Sequence, residues 1–269
     1  MTNIRAKFLM LITLAAAAPA YAVDLAGSLA QGGMAWGQVP PGTELILDGE
    51  PVKVGPEGNF VFGFGRDALA KATLIVIERS GIRREHMLAV EKREFNIEHV
   101  DGLPPKTVTP PPEWRERRKV ETGRVRKARA ENTNDTHWLS GFLKPAEGRF
   151  SGFYGSQRIL NGKPRSPHYG LDIAAPVGEP IFAPAAGTVR LAAPDFLLEG
   201  GIVIIDHGFG VTSTLFHMNS VDVAEGAYIE QGTKIGTIGA KGRASGPHVD
   251  WRVNWGNVRL DPLLLIENK

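Results

Sequence analysis

Between Val23 and Val100 apolar residues recur at every second position in short runs, GMAWGQV, TELILDGEPVKV, NFVFGFG, ATLIVIERS and MLAVEKREFNI, set apart by glycine, proline and charged residues. A period of two sends alternate side chains to opposite faces of a strand, so this stretch predicts a small all-β domain over residues 23–100, arranged as a sandwich. Asp48-Gly49 lies between two of the runs, and because both residue types tolerate positive φ a two-residue hairpin turn is expected there. Over residues 113–137 the alternation is lost. The segment EWRERRKVETGRVRKARAE, Glu113 to Glu131, is dense in helix formers and predicts a charged helix with one weak point at Gly123. From Trp138 onward short strand-like runs punctuated by glycine return, which predicts a β-rich domain of hairpins over residues 138–269. Within it, SGPHVDWRV sets His248, Asp250 and Arg252 on one face of a strand and Val249, Trp251 and Val253 on the other, a chemical face backed by an apolar one.

Two segments fit neither pattern. Residues 1–22, MTNIRAKFLMLITLAAAAPAYA, carry Arg5 and Lys7, an apolar run from Phe8 and small residues at Ala20 and Ala22, the layout of a cleaved export signal. The run is too short for a bilayer, which takes about 20 apolar residues, so no stable membrane anchor is expected from it. Residues 101–112, with five prolines between Pro104 and Pro112, predict a stiff linker and a domain boundary.

Composition narrows the function classes. A chain of 269 residues that is 42% apolar and 22% charged has room for two modest globular domains. A net charge of +2 gives no whole-molecule field for nucleic acid, and the absence of cysteine excludes disulfides, thiolate ligands and a lipid anchor on a thiol. Eight basic and four acidic residues fall within Glu113 to Glu131, but neither a clean apolar stripe nor an unbroken basic block is present. That segment reads as a solvated helix packing through Trp114, Val120 and Val125 rather than as a surface for an anionic polymer.

The candidate chemistry sits in the C-terminal half. His168 and Asp172 in PHYGLD share a face at spacing i, i+4, and His248 and Asp250 do so at i, i+2, so two segments each offer an imidazole and a carboxylate. That donor inventory suits zinc. His217 follows in TLFHM, while His207, in the turn-like DHGFG, reads as a packed residue. Hairpins such as GAYIEQGTKIGTIGAKG also look like biotinyl or lipoyl carrier domains, with Lys234 and Lys241 as attachment points. The export signal and the His and Asp pairs argue against that reading.

The segment from about Gly148 to Leu263, with H-x-x-x-D at His168 and Asp172, A-P-x-x-G-x-V in APAAGTV, STLFHM, and G-P-H ending at His248, resembles the lysostaphin and LytM family of zinc endopeptidases that cut peptidoglycan peptides. The resemblance implies a mostly β catalytic domain of the LytM type, a duplicated hybrid motif, with one Zn²⁺. It implies His168 and Asp172 as metal ligands and His217 and His248 as catalytic imidazoles. Asp250 stands where the family usually has a third, histidine ligand, and it keeps coordination possible while lowering the expected Lewis acidity by its extra negative charge. Phe216 directly precedes His217, where many relatives have an intervening residue. Arg158 and Asn161, in SQRILNG, are candidates for substrate contact.

The function expected is exported, zinc-dependent cleavage of the D-alanine to diaminopimelate bridge between peptidoglycan peptide stems in a Gram-negative periplasm. The N-terminal β domain is a candidate either for restraining the site or for positioning the enzyme on a partner. The alternative is a domain that no longer cuts but binds the wall or activates another wall hydrolase.

Overall fold

The structure, a computed structural model, describes residues 23–100, 114–160 and 162–266. The expected export signal, the proline-rich segment and Asn161 lie outside the described residues. The fold is mostly β, as the alternation predicts.

In the N-terminal half, β1 (Leu25–Gly27), β2 (Met34–Gln38) and β5 (Asn59–Gly63) form one sheet. A second sheet runs in the order β4 (Glu50–Val52), β3 (Glu44–Leu47), β6 (Lys71–Ile77), β7 (Arg83–Ala89). Alternate residues of both, among them Ala35, Phe60, Phe62, Leu45, Leu74 and Val76, close one buried cluster between the sheets. The β3–β4 hairpin turns at Asp48 and Gly49 with φ of 49° and 90°, the left-handed pair that a two-residue turn requires. A strand leaving this half, β8 (Ile97–Val100), pairs in parallel with β10 (Gln157–Leu160), which also pairs with β11 (Lys163–Pro164).

The C-terminal half is built on a ten-stranded sheet. Its main path joins β17 (Tyr228–Ile229), β14 (Gly187–Phe196), β15 (Gly200–Asp206), β16 (Val211–Val221), β19 (His248–Trp255), β12 (Leu171–Ala174) and β9 (Arg149–Gly152). β13 (Pro180–Phe182) and β18 (Lys234–Ile238) pair with each other, β18 also with β16, and β20 (Val258–Leu260) with β19. One sheet face buries Leu171, Ile173, Val203, Ile205, Leu215, Val249, Trp251 and Val253 in a common core.

The other face is covered over β14–β16 by α1 (Arg115–Arg129), which explains why β15 is buried on both sides. Ala128 and Val125 of α1 meet Leu191, Ala193, Phe196, Ile202, Ile204 and Phe216. Val120, expected on the packing side, instead faces solvent at 64% exposure, and Ala128 takes that role. Charged contacts add to this packing. Glu121 accepts hydrogen bonds from Arg117 (2.8 Å) and from the backbone of Leu197 (2.9 Å), while Arg118 pairs with Glu199 at 2.6 Å.

The N-terminal half docks at the end of β19 far from His248. Arg93 pairs with Asp261 at 2.7 Å, the Asp261 N–H donates to the Gly32 carbonyl, and Lys53 donates to the carbonyls of Asn132 and Thr133 and lies over the Phe209 ring.

His207 is fully buried, as its reading as a packed residue requires. Its Nδ1 lies 2.7 Å from the Ala186 carbonyl and its Nε2 2.8 Å from Ser213 Oγ, an arrangement that a neutral ring satisfies with Nδ1–H donating. Burial pushes its pKa down to about 4. The unfolded chain therefore binds the extra proton between roughly pH 6.5 and 4, and His207 stabilises the fold above that window and loses this contribution as the pH falls through it. Unfolding free energies from urea titrations are expected to fall by about 1.4 kcal/mol per pH unit from this residue as the pH drops through that window, and His207→Asn should remove that part of the slope. An unchanged slope would count against the buried neutral ring.

Candidate metal centre

β12 and β19 run antiparallel with Asp172 directly opposite Asp250 and Ala174 opposite His248. Their core faces are Leu171 and Ile173 on one strand and Val249, Trp251 and Val253 on the other, so Asp172, His248, Asp250 and Arg252 share the opposite face. Two like charges facing each other across neighbouring strands are unfavourable, and the site persists because cationic groups are gathered around them.

His168 is fixed just upstream by backbone bonds from its N–H to the Ser156 carbonyl and from the Gly155 N–H to its own carbonyl, both 2.8 Å. Its Nε2 lies 3.2 Å from Asp172 Oδ1, but the alignment is not that of a hydrogen bond, and both atoms are buried without a partner. Donor atoms of His168, Asp172 and Asp250 all lie within 4.8 Å of one another, the one such group of three among the described residues. Burial lowers the basicity of His168, yet the Asp172 and Asp250 carboxylates outweigh it and hold the imidazole above its usual range. A buried imidazole nitrogen and a buried carboxylate oxygen that are both unpaired, beside a second carboxylate, make a donor set that fits a divalent cation such as zinc.

Two glycines make room for the carboxylates. A Cβ on Gly152 would run into Asp172 Oδ2, and one on Gly170 into Asp250 Oδ1. Gly170→Ala is expected to keep the fold but to displace the Asp250 carboxylate and lower zinc occupancy severalfold. Metal analysis of the purified variant checks this, and full occupancy would show that Asp250 is not needed for binding.

The two remaining imidazoles stand face to tilted face. Ring centroids of His217 and His248 are 4.7 Å apart, and His248 Nε2 lies 3.9 Å from Asp172 Oδ1. His248 Nδ1 is 2.8 Å from the Gly246 carbonyl and His217 Nδ1 is 2.8 Å from the Lys241 carbonyl. A carbonyl can only accept, so in the neutral state each Nδ1 carries the proton and each Nε2 keeps a lone pair. His217 has φ of 62°, and its N–H donates to the Glu199 carbonyl at 2.7 Å. This left-handed residue interrupts the strand's alternation, and the local strain is held by its neighbours. Burial keeps the His217 imidazole below its usual pKa, with the neighbouring His248 adding to the effect and the Lys241 carbonyl opposing it.

The alternation in HVDWRV placed Arg252 on this face without identifying its role. Arg252 grips Asp250 through Nη2 to Oδ2 (2.6 Å) and Nε to Oδ1 and Oδ2 (both 3.1 Å), and its guanidinium lies over the Phe216 ring at 4.7 Å. Asp250 is 2% exposed, and despite the cost of burial the adjacent arginine holds its carboxyl below the usual range. Arg158 is in β10 opposite Glu98 of β8. Lys234 pairs with Asp222 at 3.4 Å, and Lys241 Nζ donates to the Asn219 carbonyl at 2.6 Å while its own carbonyl serves His217, so these lysines have structural roles.

Residues 166–262 match the profile of Peptidase family M23. The chain is 33% identical over 95 residues to the peptidoglycan DD-endopeptidase ShyC of Vibrio cholerae, covering 35% of this chain and 22% of that one. It is 30% identical over 97 residues to ShyB of the same organism, covering 36% and 22%. The matched segment thus spans about a fifth of the length of these curated relatives. A crystal structure from Pseudomonas aeruginosa described as an M23 peptidase superposes with a TM-score of 0.65 at 28% identity, covering 89% of this chain and 95% of that one. The motifs around His168, Asp172 and His248, the buried donors they bring together and these similarities agree: residues 166–262 match peptidase family M23.

Proposed function

We propose that this chain is an exported zinc-dependent endopeptidase that hydrolyses peptide cross-links of bacterial peptidoglycan. The observation that carries the reading is the pair of buried, unpartnered donors on His168 and Asp172, set against Asp250 and two imidazoles with free Nε2 atoms. His168, Asp172 and Asp250 would hold the ion. Zinc bound there supplies Lewis acidity toward water and the scissile carbonyl. The protein's own part is proton handling and charge placement. His217 and His248 take up a proton at Nε2 and return it to the leaving amine, and in their protonated state they donate toward oxygen as negative charge develops on it. The carbonyls of Lys241 and Gly246 fix both rings in the tautomer this requires. Arg158 and Asn161 are proposed as substrate contacts, upstream of His168.

The relatives support the proposed substrate and location. ShyB and ShyC are peptidoglycan DD-endopeptidases of Vibrio cholerae, which supports a peptidoglycan cross-link, here proposed as the D-alanine to diaminopimelate bridge, as the target and the periplasm as the compartment. No helix among the described residues is long and apolar enough to cross a membrane. Restraint by the N-terminal half would act through His168, because Arg66 Nε donates to the Gly155 carbonyl at 2.9 Å and the Gly155 N–H donates to the His168 carbonyl, while its other contacts run to the far end of β19 and to β10.

One observation favours the second reading, a domain that binds the wall without cutting it: both Asp250 oxygens are engaged by Arg252. Metal analysis of the purified chain, followed by mass spectrometry of muropeptides from digested sacculi, separates the two. One zinc per chain with chelator-sensitive release of cross-linked stems is expected. Zinc without cleavage would select the binding reading, and a chain that takes up no zinc would sink the enzyme.

A further inference from the structure

The donor set of His168, Asp172 and Asp250 holds two carboxylates, one of them where the resemblance described above implies a neutral imidazole, and taken alone it is more negative than a set with one carboxylate. We infer that Asp250 and Arg252 act as a single unit, in which Arg252 is a positioning residue that restores the charge balance of the metal centre. The inference rests on the zinc reading above, but not on hydrolysis.

The geometry supports a unit rather than a chance surface pair. The guanidinium makes three contacts of 2.6 to 3.1 Å with the two Asp250 oxygens, and the Asp250 side chain is 3% exposed. Phe216 is the strand neighbour of Asp250 across β16 and β19, and the guanidinium carbon lies 4.7 Å from the centre of its ring. The same phenyl ring is packed into the cluster beneath α1, so the arginine stands on an immobile platform. Asp172 and Asp250 contribute one negative charge each and Arg252 one positive charge. The sum is a single negative charge, the same as for one carboxylate and two neutral imidazoles. The carboxylate bound to arginine therefore presents the ion with about the field of a histidine donor. A side-on guanidinium still leaves lone pairs on both Asp250 oxygens for a further partner.

The arrangement also predicts that installing the missing histidine does harm. In Asp250→His, Arg252 becomes a half-buried cation that has lost its carboxylate partner, next to a ligand set that has lost a negative charge. Four proteins test this: the full chain, Asp250→His, Arg252→Gln and the double variant, each measured for zinc affinity by chelator competition and for the visible spectrum of its Co²⁺ form. Asp250→His is expected to bind zinc about tenfold more weakly than the full chain, and adding Arg252→Gln should recover most of that loss. A tetrahedral Co²⁺ spectrum should be sharp in the full chain and in the double variant and perturbed in the two singles. Arg252→Lys keeps the charge without the fork and should hold zinc affinity within roughly threefold, which covers the case in which Arg252→Gln folds poorly. If Arg252 served packing alone, its substitution would cost the same in both backgrounds, and that additive result would overturn the inference. So would an Asp250→His protein that binds zinc at least as tightly as the full chain. Expected couplings in a protein that cleaves nothing would leave the inference standing and remove the hydrolase, whereas absence of zinc from the full chain would remove both.

Discussion

Asp172→Asn is expected to empty the metal centre and to reduce peptide cleavage about 10³-fold, as the loss of several kcal/mol of metal-derived stabilisation would require. Asparagine has nearly the same shape, so the change isolates charge. Asp172 Oδ1 is the atom on which the centre converges, 3.2 Å from His168 Nε2 and 3.9 Å from His248 Nε2, and it has no hydrogen bond of its own. Removing its charge withdraws an anionic donor and one of the two carboxylates that keep His168 basic. Stability should move the other way. Asp172 faces Asp250 across β12 and β19, and neutralising one of two opposed carboxylates relieves their repulsion, so the metal-free variant should melt no lower than the metal-free parent. Metal analysis, muropeptide release and melting of the zinc-stripped proteins check the three parts. A variant that retained zinc and activity would show the ligand assignment to be wrong.

A fragment beginning at residue 131, without α1, is expected to be insoluble or aggregated although it contains the whole family-matched segment. The helix covers Leu191, Phe196, Ile202, Ile204 and Phe216, each of which gains about 2 kcal/mol from full burial. Re-exposing even half of that area removes about 5 kcal/mol, a large share of the 5 to 15 kcal/mol typical of a whole domain. Site geometry would suffer as well. Arg118 and Glu121 hold the turn that ends β14 and enters β15, and the Glu199 carbonyl in that turn takes the His217 N–H. Size-exclusion chromatography and melting of the fragment test this. A monomer that melts like the full chain would show that α1 is dispensable.

Much of this site was legible because it rests on local pattern. Alternation in HVDWRV separated the chemical face from the core face, and i, i+4 spacing joined His168 to Asp172, as the strands show. The positive φ values at Asp48 and Gly49 followed from a two-residue signal. What escaped depends on partners distant in the chain. The register that sets Asp172 against Asp250 is a property of two strands far apart in sequence, and so is the Phe216 ring beneath Arg252. The packing side of α1 was misplaced at Val120 because the helix is held by Glu121 and its arginines, and a charged residue that is 5% exposed leaves no apolar trace in the pattern. The turned backbone at His217 has no sequence signal, since histidine seldom adopts it without tertiary support.

The parallel pairing of β8 with β10 joins the two halves of the molecule. β10 begins beside Ser156, whose carbonyl holds the His168 N–H, while β8 is continuous with the N-terminal sandwich. Four residue pairs therefore link the sandwich to the backbone that carries His168. The N-terminal half and His168 are in this sense two ends of one hydrogen-bonded backbone path.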